Sequence, residues 1–83
     1  MTNLAETAVV RVLHSYLFEP WSTQTENKLH QDLRNALESV GLSMTSVSTQ
    51  FNESDNRLSG DVEVNSRKYH FEAFNSGVKF NDI

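Results

Sequence analysis

Apolar residues at Ala5, Val9, Val12, Leu13, Tyr16 and Leu17 recur with a helical period, and Val10 widens that face. Asn3 and Glu6 stand at capping-box spacing, with Asn in place of the usual Ser or Thr. Pro20 predicts the end of this helix, because the residue before a proline, here Glu19, is pushed away from helical angles. A second stripe follows at Leu29, Leu33, Ala36, Leu37 and Val40. The opposite face is polar: Asn27, Lys28, Gln31, Arg34, Asn35 and Glu38. Thr23 and Glu26 form a capping box, Ser22 is a competing cap, and Gly41 sits where a left-handed C-terminal cap belongs.

After Gly41 the period changes to two. Thr45, Val47, Thr49 and Phe51 alternate with Ser46, Ser48 and Gln50, which predicts a strand with one buried face. Asn52 to Asn56 reads as a turn. Leu58, Gly60, Val62 and Val64 alternate again, and Gly60 suggests a bulge or a close backbone approach, with the bulge preferred. Asn65 to Lys68 is a short hairpin connection, and Tyr69, Phe71 and Ala73 alternate once more. Past a turn at Asn75-Ser76-Gly77, Val78 and Phe80 add a last short strand. The expected fold is α+β: two N-terminal helices packed on an antiparallel meander of three to four strands, in one domain over residues 1–83.

Eighty-three residues exclude a barrel or a doubly wound sheet, which need far more chain. There is no cysteine, hence no disulfide and no thiolate for zinc. Net charge is −4, spread evenly: residues 1–41 hold three basic and five acidic groups, residues 42–83 four and six. Without a basic stripe, nucleic acid is not an expected partner. No apolar run is long enough to span a membrane, and the N-terminus lacks the positive region of a signal peptide, so the expectation is a soluble protein made in a cytoplasm. Asn52-Glu53-Ser54 matches a glycosylation sequon that no secretory signal supports.

Candidate chemistry is sparse. His14, His30 and His70 fall on three different elements, so no metal and no cofactor is expected. Glu19, between Phe18 and Pro20, is the carboxylate whose apolar neighbours would raise its pKa, but the preferred reading is a turn carboxylate that caps or pairs locally. No Gly-x-Ser-x-Gly elbow or glycine-rich phosphate loop is present, and the expectation is not an enzyme.

Two features point instead to protein contacts. Tyr16-Leu17-Phe18-Glu19-Pro20-Trp21 crowds large apolar groups into one helix connection. It serves either as a staple locking the helices, with Phe18 and Trp21 in the core, or as an exposed aromatic anchor for a partner. The meander cannot close, so its edges stay open to strand addition, with Lys68 and Lys79 as candidate gatekeepers. The ending Gly77 to Ile83 is apolar at alternate positions, which makes Val78, Phe80 and Ile83 the candidate edge contributors.

Leu17-Phe18-Glu19-Pro20, then Thr25, Leu29, Leu33 and Ala36-Leu37, then a meander, resembles the small sheath-initiator proteins of contractile phage tails. These form the baseplate-wedge family often labelled lysozyme-like. The chain is similar also to the C-terminal handshake region of tail sheath proteins, where a Phe-Glu-Pro-Asn stretch opens the corresponding helix; Trp21 stands in the place of that Asn. Arg11 looks like an arginine that some sheath proteins carry upstream, and Asp55-Asn56 with Leu58 and Val62 like the polar turn and strand that follow. The resemblance covers roughly residues 9–74.

What the resemblance implies is a structural virion protein of the tail, made in the host cytoplasm. It joins baseplate to the first sheath ring by accepting extended arms at a sheet edge. Its partners would be tail sheath and baseplate proteins, with Phe18, Glu19, Pro20 and Trp21 as the helix-connection contact and Val78, Phe80 and Ile83 as the edge. The alternative is a small acidic inhibitor or regulator that binds one host protein. A small hydrolase comes third, on the family's label alone.

Overall fold

Ala5, Ala8, Val9 and Leu13 line one side of α1 (Leu4–His14) and are buried. A computed structural model describes residues 4–16, 20–74 and 76–82. Expectations resting on Asn3, Leu17, Phe18, Glu19, Asn75 and Ile83 therefore lie outside the described residues. The helix tightens as it ends: the Ser15 and Tyr16 amides donate to the Val12 and Leu13 carbonyls, three residues back.

α2 (Thr23–Ser39) starts on Ser22, the competing cap, whose hydroxyl accepts from the Thr25 amide at 3.1 Å. Leu29, Leu33 and Leu37 are fully buried. At the far end Gly41 takes φ +82°. Its amide donates to the Glu38 carbonyl and that of Leu42 to Leu37, the paired bonds of a Schellman motif. Val40, placed on the stripe by its spacing, is instead the C-cap residue and is exposed. At 3.6 residues per turn the stripe has simply run off the end of the helix.

Four strands follow: β1 (Met44–Asn52), β2 (Arg57–Val64), β3 (Arg67–Phe74) and β4 (Gly77–Asp82). They form one antiparallel sheet in the order β1-β2-β3-β4, not closed into a barrel. Leu58, Val62, Val64, Tyr69, Phe71 and Ala73 bury one face of it against the helices. The other face carries Ser48, Asp61, His70 and Asn81 as one cross-strand row and Gln50, Ser59, Glu72 and Lys79 as the next. α1 lies toward β4, and α2 toward β1.

Two expectations are corrected by the register. The bulge falls at Thr45 and not at Gly60: Met44 pairs with Val64 and Ser46 with Glu63, leaving Thr45 as the extra residue. Thr45 is therefore exposed, its hydroxyl on Glu63, and Met44 takes the buried position. Gly60 pairs in step with Thr49 and serves the other role, a close approach. Lys68 lies on β3, an inner strand, so it guards no edge; Lys79 lies on β4, an edge strand.

Candidate functional site

The two edges of the sheet are the principal candidate site. Their chemistry follows from one turn. Asn65 and Ser66 both have positive φ, 49° and 68°, and join Val64 to Arg67 in a two-residue hairpin. The pair closing such a hairpin is hydrogen-bonded. Alternation then makes Ser48–Asp61 and Gln50–Ser59 bonded pairs between β1 and β2, and Glu72–Lys79 and His70–Asn81 bonded pairs between β3 and β4. The peptide groups left pointing outward belong to Val47, Thr49 and Phe51 on β1, and to Val78, Phe80 and Asp82 on β4.

Val78 and Phe80 are half-buried and pack on the core. Phe80 stacks on Tyr69 with ring centroids 5.0 Å apart. Their side chains thus belong to the helix-covered face, while their peptide groups form the edge. The predicted residues are brought together at β4 in this sense, with Ile83 outside the described residues.

The helix connection divides. Pro20 is exposed, and its carbonyl accepts from the Thr25 hydroxyl at 2.9 Å, which holds the entry to α2. Trp21 is half-buried and stacks on Phe51 of β1 at 5.6 Å and 21°. It clamps the helix connection to the sheet, 30 residues on in sequence. Tyr16 adds a second tie, its hydroxyl donating to the Asp32 carboxylate of α2 at 2.5 Å.

Sequence reasoning missed a polar cluster between α2 and β1. The Thr49 hydroxyl donates to Glu26 Oε2 at 2.6 Å. Its one proton is then used, so His30 Nε2, at 2.8 Å, must donate to the same oxygen. The signal was Glu26 and His30 at i and i+4, which share one face of a helix. Beside it runs a groove of about 390 Å³, lined by His30, Gln31, Arg34, Asn35, Met44 and Val47. It follows the free edge of β1.

On the open face of the sheet His70 Nδ1 lies 2.8 Å from Asp61 and its Nε2 lies 3.6 Å from Glu72. The hydrogen bond to Asp61 is the main cause of a raised His70 pKa, with Glu72 adding to it and desolvation working against it. Arg57 bridges Asp55 at 3.6 Å and Glu72 at 3.7 Å, completing a network along the surface. Among the described residues, no group of three or more His, Asp or Glu side chains is arranged to hold a metal ion.

No family model, no curated protein and no solved structure matches the chain.

Proposed function

We propose that this protein is a structural assembly component, not an enzyme, and that it accepts an extended strand from a neighbouring protein along β4. The observation that carries this reading is the state of that edge. Its outward peptide groups fall at Val78, Phe80 and Asp82, and the side chains of Val78 and Phe80 are only half covered. A fifth strand would satisfy the peptide row and extend the apolar face over both side chains. Lys79 and Asp82 add charge to the edge, which favours one partner strand over indiscriminate pairing. The resemblance to sheath initiators supplies the setting: a contractile phage tail, with sheath giving the strand and baseplate meeting the helices.

Val78→Pro tests this. The Val78 amide points away from β3, so proline there removes a donor the fold does not use but blocks strand addition. Particles assembled with the wild-type chain should contain it, and those assembled with the folded variant should lack it. Equal incorporation of both contradicts strand addition at β4. A wild-type chain absent from particles and held by one host protein contradicts the tail setting.

A further inference from the structure

We propose that the other edge, β1, pairs with β1 of a second copy of this chain, joining two four-stranded sheets into one of eight strands about a two-fold axis. This reading does not rest on the one for β4, since the edges lie on opposite sides of the sheet.

β1 runs for nine residues, Met44–Asn52, without a charge or a proline. Edge strands are ordinarily blunted by such residues, and β4 has Lys79 and Asp82 within six. The Thr45 bulge guards only the start of β1. From Ser46 to Asn52 its pairing with β2 is regular, so the outer row is a regular template.

The free peptide groups belong to Val47, Thr49 and Phe51, and they restrict the register. In an antiparallel self-pairing, these residues must face one another for their groups to bond. Setting Thr49 against Thr49 of the second copy does so, and sets Val47 against its Phe51. Both are half-buried in the monomer. A β-branched residue opposite an aromatic is among the favourable cross-strand pairs, and a two-fold axis makes the contact twice.

Charge agrees with the same register. Phe51 faces the helices, and Glu53 follows directly after β1 as the first residue of the exposed turn. In the dimer the same register would carry Glu53 to Thr45 of the other copy, near the groove that Arg34 lines together with Met44 and Val47. Among the described residues, neither Arg34 nor Glu53 takes part in an ion pair. Each copy offers one to the other.

Analytical ultracentrifugation of the full chain over a concentration series tests the proposal. The mass should rise from 9.5 kDa to twice that value. Arg34→Glu and Glu53→Arg should each weaken association about tenfold, because the reversed pair occurs twice. The double variant should restore it. Val47→Pro should leave a folded monomer; if it fails to fold, the charge reversal still decides. A chain that stays monomeric to about 1 mM, or a dimer indifferent to both single reversals, overturns the proposal.

Discussion

The Phe71 ring lies directly against Gly60 on the neighbouring strand: a Cβ added at Gly60 would stand 2.8 Å from Phe71 Cζ and 2.2 Å from the Ser48 carbonyl oxygen. Phe71 is among the largest fully buried side chains, and the Ser48 carbonyl is engaged with β2, so neither can yield cheaply. Gly60→Ala should therefore destabilise by about 3 kcal/mol, an overpacking cost that no rotamer relieves. In a domain of this size that lowers the melting midpoint by on the order of 15 °C. Thermal unfolding followed by circular dichroism reads it directly. A loss under a few degrees would mean the strand has room that the geometry denies.

Thr49 ties β1 to α2 through Glu26 and His30. Thr49→Val keeps the shape but leaves a half-buried carboxylate and imidazole without their shared partner. The expected cost is about 1–2 kcal/mol. It should appear in chemical denaturation as a lower midpoint with an unchanged slope. Amides of α2 should exchange faster while those of β3 do not, because the tie is local.

Trp21 should matter for stability more than for contact with other proteins. Trp21→Ala removes the stack on Phe51 and opens the apolar layer at the β1 side. A loss of about 2 kcal/mol is expected, below the figure for a fully buried tryptophan because this one is half exposed. Unfolding and partner binding measured on the same variant separate the roles. Strong loss of binding in a variant of unchanged stability would return Trp21 to the interface.

His70 gives the fold a pH dependence of known sign. Its folded pKa is raised above 6.5, chiefly by the hydrogen bond to Asp61 and next by Glu72, against a desolvation penalty. A raised pKa means the folded state holds the proton more tightly than the unfolded chain. The stabilisation is thus fully present below about 6.5 and disappears as pH rises through the folded value. His70→Gln should flatten that segment of the stability–pH curve. The imidazole itself should titrate above the ordinary value by NMR, and both effects should shrink with added salt because the pair is exposed.

Much of this architecture was legible because local periods survive folding. Leu29, Leu33 and Leu37 mark α2, and Tyr69, Phe71 and Ala73 mark β3, because helix and strand repeat at different periods. Gly41 marked a helix end by a conformation that few other residues adopt. What stayed hidden depends on pairing between segments. Thr45 looks like an inward strand residue until β2 is set beside it with one residue fewer. Lys68 looks like an edge guard until β4 covers its strand. The Glu26–Thr49–His30 cluster joins positions up to 23 residues apart, and only the helical half of it has a spacing that could be read. For the site, alternation placed Val78 and Phe80 on one strand, but which peptide groups stay free follows from the Asn65–Ser66 turn.

Strand addition at β4 can be read by crosslinking mass spectrometry on purified particles. The expected result is crosslinks from Lys79 on β4 to a sheath protein and from Lys28 on α2 to a baseplate protein. Particles without the chain, or crosslinks that reach neighbours only from the face bearing His70 and leave β4 untouched, would contradict it.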